Sequence, residues 1–155
     1  MSFRITGLAP ETFVPLFTMD DAALAEAGAC RRFADAPRGY PCRVSLEDAA
    51  PGEELVLVNY EHQPAPTPYR SRHAIYVRRD AGSRFDRIDE LPPVFRGRTL
   101  SLRAFDSTHM IVAASLASGD DAASAIESLL AFREANYIHV HFAAFGCFAA
   151  RVDRA

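Results

Sequence analysis

Ionisable side chains are concentrated between two apolar segments near the middle of the chain. Residues 59–64 carry the sequence Asn-Tyr-Glu-His-Gln-Pro, and Tyr69, Arg70 and His73 follow shortly afterwards. Acidic, phenolic, imidazole and guanidinium groups are costly to bury without partners, and binding groups concentrate on loops that a scaffold holds in place. The pattern therefore predicts a pocket rim in the loop after Asn59.

These groups favour a small anionic or polar molecule as the ligand of such a pocket, because arginine holds carboxylates and phosphates in a bidentate fork. The predicted ligand-binding residues are Arg43, Tyr60, Tyr69 and Arg70. The predicted acid–base residues are Glu61, His62 and His73. Imidazole titrates near neutral pH, so proton transfer is the chemistry that these residues favour. The alternative is an ordinary polar loop that its prolines stiffen.

A second candidate site is the pair His139 and His141, which are two residues apart in a predicted strand. Residues at this spacing point to the same side of a strand with Cα atoms about 7 Å apart, so both imidazoles can reach one transition metal. The third ligand would come from Glu61, His62, His73 or Asp106. The alternative is a polar outer face of an antiparallel sheet, and for Asp106 it is the capping of a turn.

A third candidate is Cys42, which lies between Pro41 and Arg43. A neighbouring guanidinium favours the thiolate, and with a histidine from elsewhere this thiol could be a nucleophile. The alternative is a small buried apolar residue, which is favoured still more for Cys147. Three cysteines without CxxC spacing, after an N-terminus that lacks a signal-peptide pattern, predict reduced thiols in a cytoplasmic protein.

The composition excludes several classes of protein. A net charge of −3 and a pI near 5.9 argue against nucleic-acid and anionic-membrane partners. All 17 basic residues are arginine, so chemistry that depends on a lysine of this chain is excluded. The longest uncharged segment, residues 137–150, is too short and too polar to span a bilayer. Dinucleotide-binding, phosphate-loop, GxSxG and HExxH motifs are absent, and no cofactor is predicted beyond a possible transition metal.

The hydrophobic patterns predict one α+β domain over residues 1–155, with a mainly antiparallel sheet and two to three helices. Strands are expected at residues 3–6, 30–34, 42–46, 55–58, 73–79, 100–105, 109–116, 137–142 and 145–152. Helices are expected at residues 11–17, 22–27 and 122–135. In the strand at 137–142, Ile138, Val140 and Phe142 share one face, and Tyr137 shares the other with the two histidines.

Several segments together resemble a known family. They are Gly-Tyr-Pro-Cys-Arg at 39–43, Leu-Glu-Asp-Ala at 46–49 with Pro-Gly-Glu at 51–53, Asn-Tyr-Glu-His at 59–62, Pro-Tyr-Arg at 68–70 with His-Ala-Ile at 73–75, and Gly-Cys-Phe at 146–148. As a set they resemble the bacterial family catalogued as domain of unknown function 1203, over essentially the whole chain. The resemblance implies a small single-domain bacterial protein, and it transfers no catalytic role to any residue.

Two hypotheses of different classes follow. The first is a protein with a small-molecule pocket, with or without acid–base chemistry. The second is a non-catalytic interaction module, such as a homodimer built on sheet faces or on the C-terminal hairpin that carries Phe142, Phe145 and Phe148.

Overall fold

Nine strands form two antiparallel sheets in the computed structural model, which describes residues 1–155. The larger sheet contains β1 (Phe3–Thr6), β5 (Asp86–Ile88), β6 (Thr99–Phe105), β7 (Ile111–Ser118), β8 (Tyr137–Phe142) and β9 (Phe148–Arg154). Its strand order is β5-β1-β9-β8-β6-β7. The smaller sheet contains β2 (Ala29–Phe33), β3 (Glu54–Gln63) and β4 (Ser71–Arg78), with β3 in the centre.

Two α-helices and four short 3₁₀ segments complete the fold. The α-helices are α1 (Asp21–Glu26) and α2 (Ala122–Leu130), and the 3₁₀ segments are Pro10–Thr12, Val14–Thr18, Pro93–Phe95 and Gly119–Asp121. The α+β class with a mainly antiparallel sheet is therefore confirmed. None of the helices has the length and apolar character needed to cross a membrane.

Two of the expected helices differ from the structure. Residues 11–17 form 3₁₀ turns rather than an α-helix, since Pro15 lies inside this segment and has no N–H to donate to a preceding carbonyl. The helix expected to continue to residue 135 ends at Leu130 and is followed by turns. The short helix α1 agrees closely with the sequence, because the Asp20 carboxylate accepts a hydrogen bond from the Ala23 N–H at 2.8 Å.

The strand β3 is longer than its apolar segment indicates. It continues through residues 59–63, which the sequence pattern assigns to a loop, because Asn59 and Tyr60 pair with Ala74 and His73 of β4. A register shift interrupts this pairing between Tyr60 and Gln63. Residues 80–98, where the sequence analysis places no strand or helix, contain β5 and a 3₁₀ turn. Residues 42–46, expected as a strand, contribute isolated bridges instead.

The two faces of the larger sheet are covered by different structures. Side chains of Val140 and Leu102 on one face, the apolar face, pack with Ile126 of α2 in the main hydrophobic core. The other face, the polar face, carries Tyr137, His139 and His141 of β8, and the end of β3 packs against it.

The polar face is not a solvent-exposed surface. His139 and His141 are only 4% and 1% exposed. The interpretation of this pair as part of an outer, solvated sheet face is therefore wrong, because residues from the smaller sheet cover it. Two imidazoles are consequently buried between the two sheets.

Candidate functional site

Three of the five histidines of the chain lie together where the end of β3 meets the polar face. The ring centroids of His62 and His141 are 5.0 Å apart, and the His139 ring lies 6.2 Å from His62 and 6.4 Å from His141. The Phe148 ring stacks on His62 at 5.5 Å. We refer to His62, His139 and His141 as the histidine cluster.

Strand register positions the members of the cluster and their charged neighbours. Arg103 of β6 and Arg151 of β9 are the cross-strand partners of His139, one on each side. Cross-strand partners share a face of the sheet, so His139 lies in a row between two arginines. On the opposing sheet, the register shift near the end of β3 is the kind of irregularity that redirects a side chain, and it accompanies the approach of His62 to β8.

The hydrogen bonds of His141 define its neutral tautomer. Its Nδ1 lies 3.0 Å from the carbonyl oxygen of Gly146, which can only accept, so Nδ1 carries the hydrogen. Its Nε2 lies 3.5 Å from Nη1 of Arg103, which can only donate, so Nε2 carries the lone pair. Both ring nitrogens of His141 therefore have protein partners.

A network of hydrogen bonds through Tyr137 connects His109 to the end of β3. The Gln63 Nε2 donates to the Tyr137 hydroxyl at 2.9 Å, while its Oε1 accepts from the Ala65 N–H at 3.3 Å. The hydroxyl has one hydrogen of its own to donate, and His109 Nδ1 lies 2.8 Å away. The Tyr137 hydroxyl therefore connects the Gln63 amide of β3 with Nδ1 of the His109 ring.

The other two members of the cluster are incompletely hydrogen-bonded. Nδ1 of His62 and Nδ1 of His139 are buried and have no hydrogen-bond partner. A buried polar atom without a partner costs about 1–3 kcal/mol, so native structures rarely leave one unless another group completes it. Two such atoms therefore lie in neighbouring side chains of the cluster.

Burial keeps all three imidazoles of the cluster uncharged. It lowers the pKa of His139 to about 2, and the repulsion that a protonated His139 would meet from a protonated His141 acts in the same direction. Burial, followed by the charge of Arg103, lowers the pKa of His62 to about 4. Burial also lowers the pKa of His141 to about 3, although the hydrogen bond to Gly146 acts in the opposite direction. The cluster is therefore neutral at physiological pH.

A cavity of about 310 Å³ opens beside the cluster, and we call it the histidine cavity. Its polar lining residues are His62, Gln63, His109, Tyr137, His139 and Arg151. Its volume is at the lower end of the range for ligand-binding clefts, about 300–1,000 Å³. No aspartate or glutamate lines it, so its charged and polar groups are a guanidinium, imidazoles, an amide and a phenol.

The arginines beside the histidine cavity retain unused donors. Arg151 is held in place by stacking 4.0 Å from the Tyr137 ring centroid and by using Nε and Nη2 for the Asp153 carboxylate. Its Nη1 makes no hydrogen bond within the protein. Arg103 contacts Ser101 and His141 and forms no ion pair with a carboxylate. The surroundings of the cavity therefore carry excess positive charge.

Arg43 and His73, two of the predicted site residues, lie at a different cavity of about 710 Å³. We call it the arginine cavity, because Arg38, Arg43 and Arg98 contribute to its lining. The Arg43 guanidinium contacts the thiol of Cys147, with Nη2 2.9 Å from Sγ, rather than that of its sequence neighbour Cys42. The histidine cavity and the arginine cavity share no lining residue.

Glu61 and Arg70 form a surface network outside both cavities. The Glu61 carboxylate pairs with Arg70 and Arg72 at 3.3 Å each, and both guanidinium groups are more than half exposed. Glu61 makes no hydrogen bond to His62, its expected acid–base partner. The structure therefore separates the carboxylate from the imidazole of this adjacent pair.

The remaining predicted site residues have structural contacts. Tyr60 packs on Phe13, with ring centroids 5.6 Å apart, in the core between the smaller sheet and α1. Tyr69 meets the Phe105 ring edge-on at 6.2 Å. The predicted ligand-binding residues Arg43, Tyr60, Tyr69 and Arg70 are thus distributed over separate regions and do not surround one pocket.

Two other candidates have local roles. Cys42 is fully buried, and its Sγ accepts from the Arg78 N–H at 3.4 Å. Asp106 caps a turn, since its Oδ1 accepts from the backbone N–H and the hydroxyl of Thr108 at 2.8 Å and from the Met110 N–H at 3.0 Å. The capping alternative for Asp106 therefore describes what the structure contains.

Five residues of the histidine cavity or its surroundings were not predicted as site residues from the sequence: Gln63, Arg103, His109, Tyr137 and Arg151. Alternation along β6 and β9 assigns Arg103 and Arg151 to a polar face, but alternation does not reveal which strands are neighbours. The sheet order, which places β8 between β6 and β9, is the information that brings them to His139.

The histidine cluster does not have the arrangement of a metal centre. No group of three or more histidine, cysteine, aspartate or glutamate side chains is placed to hold a metal ion. His139 and His141 do share a face, as the HxH spacing predicts, and His62 is the nearest candidate for a third ligand. However, Nδ1 and Nε2 of His141 are already engaged by Gly146 and Arg103.

The family assignment rests on most of the chain. A family model described as "Protein of unknown function (DUF1203)" matches residues 39–154 of the 155 residues, so the chain belongs to this family. The matched segment contains all five histidines and every lining residue of both cavities except Arg38. No curated protein and no solved structure matches the chain.

Proposed function

We propose that this protein binds a small oxyanion, a carboxylate or a phosphate, in the histidine cavity. The observation that carries the proposal is the pair of buried, unpartnered Nδ1 atoms of His62 and His139 in side chains that line the cavity. His139 is 4% exposed, and no other group of the protein supplies a partner for its Nδ1.

The charge distribution supports an anion rather than a cation. Arg151 lines the cavity with a free Nη1, Arg103 lies on the other side of His139 without a carboxylate partner, and no acidic residue lines the cavity. A neutral imidazole can donate one hydrogen bond to an oxyanion, and the arginine fork provides a charge-assisted one. A cationic ligand would meet these guanidinium groups without a neutralising carboxylate.

The proposal is tested by observing the histidine side chains directly. We expect inorganic phosphate or succinate, added at constant ionic strength, to shift the ¹⁵N resonances of His62 and His139 in a saturable manner. Sodium chloride at matched ionic strength and the cation ethylenediammonium should leave these resonances in place. If neither oxyanion shifts them, or if ethylenediammonium shifts them equally, the proposal is wrong.

A matched pair of arginine variants localises the binding. Arg151 and Arg4 are both half-exposed arginines of the larger sheet, and each pairs with an aspartate. Because only Arg151 lines the cavity, Arg151→Gln should weaken oxyanion binding about tenfold or more, the order expected for a lost charge-assisted hydrogen bond. Arg4→Gln should leave it unchanged, and equal losses in both variants would indicate nonspecific attraction.

Acid–base chemistry would start from the neutral imidazole of His62. Burial and nearby positive charge lower its pKa to about 4, so at neutral pH it can accept a proton but has none to release as an acid. A bound anion would favour the charged imidazole, so its pKa would rise and binding would strengthen as the pH falls. Sulfate keeps its charge between pH 8 and pH 6, so sulfate binding that weakens on acidification over this range would contradict this coupling.

A transition-metal site remains the second candidate, favoured by the three neighbouring neutral imidazoles. His62, His139 and His141 would have to rotate, since they are not placed to hold a metal. Zinc added to the protein would then raise its melting temperature, whereas His139→Leu would not respond. An unchanged melting temperature in zinc, with a response to phosphate, would favour the oxyanion site.

The proposal assigns the protein to the bacterial cytoplasm as a ligand-binding domain. All three cysteines are free, which suits a reducing compartment. The interaction hypothesis has one exposed aromatic residue in its favour, Phe145 in the C-terminal hairpin, because Phe142 and Phe148 are buried in the protein itself. Measurement of the solution mass with and without phosphate would separate a ligand-binding monomer from a homodimer.

A further inference from the structure

The arginine cavity has a chemistry of its own, which the proposed oxyanion site does not use. Three guanidinium groups contribute to its lining, and no aspartate or glutamate does. Its remaining surface is largely apolar and includes Leu57, Tyr76 and Phe142. With about 710 Å³ it is more than twice as large as the histidine cavity.

Arg43 is the unusual residue of this cavity. It is 2% exposed, and its donors contact the carbonyl oxygens of Phe148 and Pro41 and the thiol of Cys147. No carboxylate lies within ion-pair distance, although buried charges in proteins are normally paired. Three of its five N–H groups are used, so two remain for a further acceptor.

Arg98 lines the same cavity, and its positive charge is paired with a carboxylate. Its Nη1 and Nη2 form a bidentate pair with the Asp48 carboxylate at 2.9 and 2.8 Å. Both Arg98 and Arg43 lie over the Phe142 ring, at 5.3 and 4.9 Å from its centroid. The protein therefore supplies a counter-charge to one of two neighbouring guanidinium groups and leaves the other without one.

Phe145 adds an exposed apolar side chain to the lining of the arginine cavity. It is 82% exposed, the most exposed of the large hydrophobic residues, and it lines the cavity from the turn between β8 and β9. Gly146 in this turn has a positive φ of 77°, which a glycine adopts without strain. An exposed phenylalanine beside a buried cation offers contact area for the apolar body of a ligand.

We propose that the arginine cavity is a second binding site, for an amphipathic anion whose carboxylate or sulfonate faces Arg43 and whose aromatic or aliphatic body lies against Phe142 and Phe145. The ligand's negative charge would compensate the one buried guanidinium that has no carboxylate partner. Arg38, whose side chain is exposed and contacts the Arg96 carbonyl oxygen, adds positive charge at this cavity.

A pair of fluorescent probes tests both parts of the proposed ligand. The anion 8-anilinonaphthalene-1-sulfonate and the neutral N-phenyl-1-naphthylamine share their rings and differ in the sulfonate. We expect the sulfonate to bind with a 1:1 stoichiometry and at least tenfold more tightly than the neutral probe. Equal affinities, or binding of several sulfonate molecules per chain, would overturn the proposal.

Arg43 is buried, so a substitution there can disturb folding, and variants of surface residues provide a test that does not depend on it. Phe145→Ala should weaken both probes at least fivefold, and Arg38→Gln should weaken only the sulfonate. The matched controls are Phe132→Ala and Arg87→Gln, which alter an exposed phenylalanine and an exposed arginine away from the cavity. If the controls lose as much affinity as the cavity variants, the probes bind elsewhere and the proposal is wrong.

Arg43→Met supplies the most direct measurement if the variant folds, as judged by its near-ultraviolet circular dichroism. It should reduce the affinity for the sulfonate to that for the neutral probe while leaving the neutral probe's affinity within twofold. Unchanged sulfonate affinity would exclude Arg43 as the anion contact. Phosphate binding at the histidine cavity should persist in Phe145→Ala and Arg38→Gln, so failure of one site is distinguishable from failure of the other.

Discussion

The two faces of the larger sheet are both buried, but they are buried by different chemistry. On the apolar face, Leu102 and Val140 pack with Ile126 of α2 in a continuous hydrocarbon core. On the polar face, His139 and His141 lie against His62 from the smaller sheet, and two of the three imidazoles retain an unpartnered nitrogen. The same strand, β8, supplies both faces.

The two faces differ in how much their buried side chains contribute to the stability of the fold. Apolar burial contributes roughly 25 cal/mol per Å² and requires no partner atoms of a specific type. Burial of imidazoles contributes far less, because their nitrogens lose water and only some regain a partner. The polar face thus contributes less to stability than the apolar face does.

The largest expected effect is on the apolar face. Leu102→Ala removes a fully buried side chain from the main core, so the free energy of unfolding should fall by about 2–5 kcal/mol. Urea denaturation at pH 7.5 measures this loss. The loss should be the same at pH 5.5, because no titratable group is removed, and a strongly pH-dependent loss would contradict the separation of the two faces.

The second effect is a loss of stability on acidification, which originates on the polar face. In the unfolded chain imidazoles take up protons near pH 6.5, whereas burial lowers the pKa of His139 to about 2 and of His141 to about 3 in the folded protein. Stability is therefore fully present above pH 6.5 and falls as the pH decreases below it. Each imidazole contributes a slope of up to about 1.4 kcal/mol per pH unit.

The variant His139→Leu tests whether the pH dependence of the free energy of unfolding originates on the polar face. It removes one of the protons that only the unfolded chain binds, so stability between pH 6.5 and 5 should decrease less steeply than in the wild type. Leu102→Ala is the control and should retain the wild-type slope. The window ends at pH 5 because Asp48 and other carboxylates with a lowered pKa contribute below it.

Much of the fold was predictable from the sequence, because local patterns determine it. Alternation in residues 137–142 correctly predicted the strand bounds and the residues on each face of β8. The helix expected at residues 22–27 corresponds to α1, which begins one residue earlier, after the Asp20 cap. The prediction was wrong at residues 59–63. Their polar side chains indicate a loop, but the segment is part of β3 because its backbone pairs with β4.

The candidate site was less predictable, because it depends on contacts between distant segments. The spacing of His139 and His141 showed that the two rings share a face, and His62 was among the possible partners. Alternation cannot show whether a second sheet covers that face, so burial of the pair was not anticipated. Register across three strands brings Arg103 and Arg151 to His139, and no local pattern contains that information.

The smallest expected effect belongs to Arg70, which the sequence singled out as a ligand contact. Its guanidinium is 58% exposed and pairs with Glu61 at 3.3 Å, and such surface pairs contribute about 0–1 kcal/mol. Arg70→Ala should therefore lower the free energy of unfolding by less than about 1 kcal/mol and leave phosphate binding unchanged, since Arg70 lines neither cavity. Urea denaturation and phosphate titration measure both quantities. If Arg70→Ala abolishes binding while Arg151→Gln does not, the ligand lies at the loop after β3, and the buried polar face has a structural role alone.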